Sequence, residues 1–134
     1  MTAPFPAPEI TAVSAPYWSA LAEGHLQFQR CARCNRAWLP PRGECPSCLS
    51  DSWSWERASG RGTLVSWVVY HIAYHEAFAD KLPYNVAVVE LAEGPRLITN
   101  IVNPTDNGGL AADRPVELAI EREHGIALAR FRLS

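Results

Sequence analysis

The feature that most constrains this chain is a set of four cysteines arranged as two close pairs. Cys31 and Cys34 form the first pair, Cys45 and Cys48 form the second, and ten residues separate the pairs. Each Cys-x-x-Cys pair can make a tight turn whose sulfurs point at a common centre, and two such turns supply the tetrahedral sulfur shell that zinc prefers. The spacing therefore favours one zinc ion over the alternatives, a redox dithiol or an iron–sulfur cluster.

Four thiolates would complete the coordination shell of this ion. No position is then left for a catalytic water, so the zinc would be structural. Asn35, which follows the first pair, tolerates the left-handed backbone that such turns often need, whereas Leu49 after the second pair is a poorer choice.

Residues 1–16 do not resemble a signal peptide, and no apolar run reaches the roughly 18 residues of a membrane span. We therefore expect a cytoplasmic protein without a membrane segment.

Turn residues and short apolar runs predict a mainly β fold with one short N-terminal helix. The helix is expected from Ser14 to Gly24, with Ser14 as its cap and Gly24 at its end. Trp18, Leu21 and Ala22 should share its buried face.

The strands are predicted from alternating or apolar runs that turns interrupt. One strand should lead into the first cysteine pair at residues 25–29, and another should leave the second pair at residues 52–56. Five more, at residues 63–72, 84–91, 96–102, 116–121 and 126–133, fit a Greek-key barrel of the OB type. The predicted organisation is an arm and helix at 1–24, a zinc ribbon at 25–58 and a five-stranded OB-fold barrel at 59–134.

Charge is distributed unevenly along the chain. The net charge of −2 argues against a protein whose main task is to hold nucleic acid. Four arginines nevertheless surround the cysteine pairs: Arg30, Arg33, Arg36 and Arg42. They are either a solvated face or a contact for an acidic partner or for the phosphates of coenzyme A.

An insertion at residues 73–83 separates two of the predicted strands. It places Tyr74, His75, Phe78 and Leu82 in a loop, and apolar side chains in such a loop indicate a surface for a partner or an acyl chain. The alternative is a lid that packs on the barrel. The same region offers the only candidates for acid–base chemistry that we single out, namely His71, His75 and Glu76, and a polar loop beside a strand end is the simpler interpretation.

The order of short motifs resembles a known family, the acyl-CoA-associated OB-fold proteins with a rubredoxin-like zinc ribbon, long catalogued as a domain of unknown function. The resemblance covers about residues 17–131. Its motifs are Trp18-x2-Leu21 with Glu23-Gly24, Leu26-x-Phe-Gln-Arg-Cys31-x2-Cys34, Pro40-Pro-Arg42, Cys45-Pro-x-Cys48, Ser59-Gly-Arg-Gly-Thr63, Pro83-Tyr84, Val89-Glu-Leu91, Glu93-Gly-Pro-Arg-Leu97, Thr99-Asn100 and Arg130-Phe131.

The resemblance implies a fold and a role. The fold is a helix, a zinc ribbon and an OB barrel, and the four zinc cysteines match the family one by one. The role is that of a non-catalytic accessory subunit that completes a thiolase-like acyl-CoA enzyme. That enzyme would be a thiolase, an acyltransferase or a retro-aldolase, including those of steroid side-chain degradation, and a hot-dog-fold hydratase is sometimes a further partner. Some members are thought to help hold the acyl-CoA.

The chain departs from the family pattern at two points. Leu49 replaces a small residue, and residues 111–115 replace a Gly-x-Pro-Val pattern.

Two other functions stay open. One is a single-stranded nucleic-acid-binding module, because OB barrels and zinc ribbons both serve that purpose elsewhere. The other is an independent enzyme.

Overall fold

A computed structural model of the chain describes residues 8–71, 84–102 and 109–134. In these ranges the chain forms one helix, α1 (Ala15–Glu23), and eleven strands, so the fold is mainly β as predicted. The strands are β1 (Gln27–Cys31), β2 (Ala37–Trp38), β3 (Trp53–Arg57), β4 (Arg61–Tyr70), β5 (Tyr84–Leu91), β6 (Arg96–Thr99), β7 (Ile101–Val102), β8 (Pro115–Leu118), β9 (Glu121–Glu123), β10 (Ile126–Leu128) and β11 (Phe131–Leu133).

The helix ends where the sequence predicts but begins differently. Gly24 adopts a left-handed conformation with φ of 101°, and its N–H closes the last turn. Ser14 occupies the N-cap position as predicted, but its side chain makes no capping hydrogen bond. Ser14 has helical backbone angles, and its hydroxyl accepts the Thr11 N–H at 2.8 Å instead of a first-turn N–H. An effective N-cap needs an extended backbone.

The buried face of α1 also differs from the prediction in one residue. Ala20 and Leu21 are buried and Trp18 packs against the core, whereas Ala22 is exposed. Successive helical residues are turned by about 100°, so Ala20 and Ala22 lie on opposite sides of Leu21. The buried face extends from Leu21 toward Ala20, which leaves Ala22 on the side that faces solvent.

A three-stranded sheet of order β2-β1-β3 forms the ribbon. Both neighbours of β1 run antiparallel to it, and Cys31 at the end of β1 lies opposite Trp53 at the start of β3. The sheet therefore fixes the first cysteine next to the strand that leaves the second cysteine pair.

The larger sheet has the order β6-β5-β4-β8-β11-β7. Its first and last members, β6 and β7, are separated only by Asn100, so they are two halves of one bent strand and the sheet closes on itself. The β7–β11 pair is parallel and the other neighbours are antiparallel. The barrel thus has the five predicted strands, although three of them are interrupted. In the last two, the segments β9 and β10 leave the larger sheet and pair with each other in a separate antiparallel two-stranded sheet.

The bend between β6 and β7 has an identifiable cause. The buried side chain of Asn85 donates to the carbonyl of Ile101 at 2.9 Å and accepts the N–H of the same residue at 2.7 Å. Thr99 donates its hydroxyl hydrogen to the carbonyl of Ala129 at 2.7 Å. Because side chains satisfy these backbone groups, the strand can turn a corner without leaving unpaired polar atoms in the core.

One hydrophobic core joins the helix, the ribbon and the barrel. Leu26 and Phe28, which flank the start of β1, are fully buried in it. Burial of two such side chains stabilises the folded state by roughly 3–6 kcal/mol, so the ribbon is packed firmly on the barrel. The buried members of this core are Leu21, Leu26, Phe28, Ala58, Leu64, Ala87, Val89, Leu91, Leu97, Ile101, Val116, Ala127 and Phe131. The described part of the chain contains no helix that is long and apolar enough to cross a bilayer.

Candidate metal centre

The four cysteines meet at one point of the ribbon. Their sulfur atoms all lie within 4.8 Å of one another, and the Cys31–Cys48 and Cys34–Cys45 sulfur pairs are each 3.5 Å apart. Zinc with Zn–S bonds of about 2.3 Å would hold tetrahedral sulfurs about 3.8 Å apart. The donor set therefore fits zinc in both chemistry and spacing.

The two cysteine turns have the same backbone construction. In the first, the N–H groups of Arg33 and Cys34 point at the Cys31 sulfur at 3.3 and 3.4 Å. In the second, the N–H of Ser47 points at the Cys45 sulfur at 3.4 Å. N–H groups directed at sulfur stabilise the thiolate, which is the form that binds a metal.

Each turn ends in a residue with left-handed backbone. Asn35 has φ of 67° and Leu49 has φ of 63°, and their N–H groups bond to the carbonyls of Cys31 and Cys45 at 3.1 and 2.9 Å. The left-handed role expected for Asn35 is confirmed. Leu49 adopts the same conformation although a branched apolar residue disfavours it, and its side chain is 70% exposed.

The thiols of Cys31 and Cys34 differ in pKa. Hydrogen bonds from the N–H groups of Cys34 and Arg33 lower the pKa of Cys31 to about 6. For Cys34 the N–H of Arg36 acts in the same direction, but the neighbouring Cys45 sulfur and burial outweigh it and raise the pKa to about 11. Four adjacent thiolates repel one another, so the full set requires a cation to ionise completely.

A small second core supports the cluster. Trp38 is buried with Cys31 and Cys45, and its ring meets the ring of Trp53 edge-on at a centroid distance of 6.4 Å. The indole N–H of Trp53 donates to the carbonyl of Gly43 at 2.8 Å. These contacts hold both ends of the segment that joins the two cysteine pairs.

Gln29 is an important ribbon residue that the sequence did not single out. Its side chain is fully buried, donates to the carbonyl of Arg42 at 2.7 Å and accepts the N–H of Arg42 at 2.8 Å. In the sequence Gln29 is simply a polar member of an alternating run. The available signals were its place between Phe28 and the first cysteine pair and its occurrence in the family motif Leu26-x-Phe-Gln-Arg-Cys31.

Two of the four arginines near the cluster bind other residues of the ribbon, and two do not. Arg30 forms an ion pair with Glu56 at 2.6 Å and donates to the carbonyl of Asn35 at 3.0 Å. Arg36 donates to the hydroxyl of Ser47 at 2.8 Å and so links the two cysteine turns. Arg33 and Arg42 are exposed, and the described residues offer no partner to either guanidinium.

The remaining predicted site residues give no further cluster. Tyr74, His75, Phe78 and Leu82 lie outside the described residues, as does Glu76. His71 is the last described residue before the insertion and is exposed. Within the described ranges, Cys31, Cys34, Cys45 and Cys48 are the one group of side chains placed to bind a metal.

Two family models match the chain in succession. The model described as the ChsH2 rubredoxin-like zinc ribbon domain matches residues 18–54. The model described as the ChsH2 C-terminal OB-fold domain matches residues 55–121. The predicted zinc ribbon and OB-fold barrel are thereby confirmed.

Relatives of known description are similar over part of their length. A "Probable enoyl-CoA hydratase alpha subunit" of Thermomonospora curvata is 40% identical over 133 residues, which cover 95% of this chain and 39% of that protein. A "DUF35 domain-containing scaffold protein" of Methanocaldococcus jannaschii is 35% identical over 75 residues, which cover 55% of this chain and 52% of that protein. The chain therefore spans from two-fifths to about half of the length of these curated relatives.

Solved structures show the same architecture. A chain of the "Ltp2-ChsH2(DUF35) aldolase" superposes with a TM-score of 0.82 at 36% identity, covering 95% of this chain and 98% of that chain. A DUF35 protein of unknown function from Sulfolobus solfataricus superposes with a TM-score of 0.67 at 12% identity, covering 92% and 86% of the two chains, which shows a shared fold. The chain belongs to the ChsH2 (DUF35) family of zinc-ribbon and OB-fold proteins.

Proposed function

We propose that this chain is a non-catalytic accessory subunit that binds and completes a thiolase-like acyl-CoA enzyme. The observation that carries the proposal is the similarity, over nearly the whole of both chains, to a chain of the Ltp2-ChsH2(DUF35) aldolase. The scaffold and enoyl-CoA hydratase subunit descriptions of the other relatives support the same setting. Retro-aldol cleavage, thiolysis or acyl transfer of a CoA thioester, such as one derived from a steroid side chain, would then be the work of the partner. A hot-dog-fold hydratase is a second candidate partner.

We further propose that Cys31, Cys34, Cys45 and Cys48 bind one structural zinc ion. Zinc would supply the positive charge that lets all four sulfurs ionise, and it would hold the two cysteine turns together. The four sulfurs occupy every position of a tetrahedral ion, so the proposed zinc has no site for substrate. Thiolate ligands fit the reducing cytoplasm in which we place the complex.

Two sets of residues are proposed to face the partner or its substrate. Arg33 and Arg42 keep free guanidinium groups at the ribbon surface, which suits an acidic partner surface or CoA phosphates. The side chains of Arg30 and Arg36 already bind Glu56 and Ser47 within the ribbon. We therefore expect them to contribute less than Arg33 and Arg42 to such a contact. The insertion would present Tyr74, His75, Phe78 and Leu82 to the partner or to the acyl chain.

The test is affinity purification of the tagged chain from its native host, with mass spectrometry of the bound proteins and measurement of zinc. We expect a thiolase-like subunit in stoichiometric amount and one zinc ion per chain. Recombinant subunits then allow a direct comparison of Arg33→Gln/Arg42→Gln with Arg57→Gln/Arg61→Gln, which removes the same charge elsewhere. A chain that purifies alone and binds single-stranded oligonucleotides in a salt-sensitive manner would support the nucleic-acid module instead.

A further inference from the structure

The outer face of the barrel carries apolar side chains where polar ones are expected. Strands of an antiparallel barrel normally alternate between an apolar inner face and a polar outer face. In β5 the inner positions are Asn85, Ala87 and Val89, which are buried, but the outer positions between them are Val86 and Val88. The sequence shows this as an unbroken apolar run and not as an alternation.

The neighbouring strands extend this apolar surface. Val68 of β4 lies directly opposite Val86, and Ile98 of β6 lies directly opposite Val88. Val68 is 53% exposed and Ile98 is 77% exposed. Side chains opposite one another on the same face of a sheet are about 5 Å apart, so these four residues form one continuous surface, which we call the valine–isoleucine patch.

The surroundings of the patch resemble the edge of a protein interface. On one side, Glu90 of β5 lies opposite Arg96 of β6, and the two form an exposed ion pair at 3.1 Å. On the other side, the rings of Tyr70 and Tyr84 stack with a centroid distance of 5.3 Å. An apolar centre bordered by a paired charge and by tyrosines is the usual composition of a specific protein interface.

Other strongly exposed apolar side chains of the described residues are isolated. Ile10 lies in the N-terminal arm and is 60% exposed, and Leu49 ends the second cysteine turn. Single exposed apolar residues are common and need no partner. Val68 and Ile98 differ because Val86 and Val88 join them into one surface, and a contiguous patch of this kind marks an interaction site.

The size of the patch decides between a second copy and a different partner. Its exposed area is roughly 300 Å², compared with the ~800 Å² that each partner buries in a typical stable complex. Two copies paired through the patch would bury only about 600 Å² in total, which is the size of a crystal contact. The patch alone is therefore too small to hold two copies together, and the similarity to a chain of the Ltp2-ChsH2(DUF35) aldolase favours a different protein as the occupant.

We propose that the valine–isoleucine patch docks on an apolar surface of the enzyme subunit that this chain completes. The inference rests on the proposed function and adds the face through which the two subunits join. Val68, Val86, Val88 and Ile98 supply the buried centre of the contact, and the Glu90–Arg96 ion pair lies at its rim.

The experiment measures the affinity of the 134-residue chain for the co-purifying thiolase-like subunit by calorimetry. Ile98→Glu and Val68→Glu place a charge in the centre of the contact, and each should weaken binding by at least about 30-fold. Ile10→Glu is the matched control, since it adds the same charge at a similarly exposed site, and it should stay within twofold of wild type. If Ile98→Glu does not fold, as judged by circular dichroism, Ile98→Thr keeps the strand preference and should weaken binding about fivefold.

The outcomes separate this docking surface from the proposed function. If wild type binds the enzyme and the Ile98 and Val68 variants bind equally well, the docking surface is wrong and the proposed function stands. If wild type binds no thiolase-like subunit, the proposed function fails and the docking inference fails with it. A wild-type chain that dimerises in light scattering, and that Ile98→Glu converts to a monomer, would assign the patch to a second copy instead.

Discussion

Gly62 lies where β4 passes between two neighbours, and a single methyl group there should have a large effect. The residue pairs with Leu91 of β5 on one side and with Val116 of β8 on the other. A Cβ atom at this position would lie 2.6 Å from the carbonyl oxygen of Glu90 and 3.0 Å from a methyl carbon of Val89. Ordinary contacts of this kind begin at 3.4 Å.

The cost of Gly62→Ala follows from that geometry. The overlap is about 0.8 Å against a backbone atom, and β4 cannot move away because it is paired on both edges. Overpacking of this kind costs about 3 kcal/mol, and the lower entropy that alanine gives the unfolded chain offsets about 0.7 kcal/mol. The net loss is about 2 kcal/mol, equivalent to a fall in the melting temperature of about 7 °C for a chain of this size.

Gly43→Ala is the matched control for this experiment. Gly43 lies in the ribbon, and a Cβ atom there would meet nothing closer than 3.9 Å. Its melting temperature should equal that of wild type or exceed it by about 2 °C. Thermal unfolding of both variants by circular dichroism, in the same buffer, gives the comparison. A Gly62→Ala protein that melts within 1 °C of wild type would refute the close approach of β4 to β5.

Three further predictions concern the ribbon and the helix. Cys45→Ser should reduce bound zinc from one ion per chain toward none and make the protein insoluble, and a soluble variant with full zinc by elemental analysis would contradict the metal site. Gln29→Ala should lower the free energy of unfolding in urea by about 2–3 kcal/mol, because it leaves the N–H and the carbonyl of Arg42 unpaired. The control Gln27→Ala should change this free energy by less than about 0.5 kcal/mol. Equal effects of the two substitutions would argue against the buried hydrogen bonds between Gln29 and Arg42. Burial raises the pKa of Tyr17 to about 12 from its ordinary value of 10, so the folded state holds this proton more tightly. Wild type should therefore lose about 2 kcal/mol of stability as the pH rises from 10 to 12. Tyr17→Phe should therefore gain about 1 kcal/mol on wild type between pH 8 and pH 11 in urea titrations, and a pH-independent difference would show that Tyr17 ionises freely in the folded state.

The four-cysteine cluster could be predicted from the sequence because its information is local. Two turns with fixed spacing carry all four cysteines, and no distant contact is needed to identify them. The same holds for Gly24, whose conformation ends the helix, and for the five barrel strands, whose apolar runs are bounded by turns. Local patterns of this kind are decided by backbone chemistry within a few residues.

Features that depend on distant contacts could not be predicted in the same way. The bend at Asn100 depends on hydrogen bonds from Asn85, and the burial of Gln29 depends on a loop 13 residues away. Leu49 takes a left-handed conformation because the second cysteine turn requires it, against the preference of its own side chain. Val86 and Val88 indicated a strand, but only the register shows that they join Val68 and Ile98 on the outside of the barrel.

The packing of Leu26 and Phe28 bears on how this protein can be divided. The two family models meet between residues 54 and 55, which is a point inside β3. A protein shortened at that point would lose part of a strand of the ribbon sheet, and the isolated barrel would expose the cavity that Leu26 and Phe28 fill. Each half would therefore need the other, in cis or as an added fragment, to regain a closed hydrophobic interior.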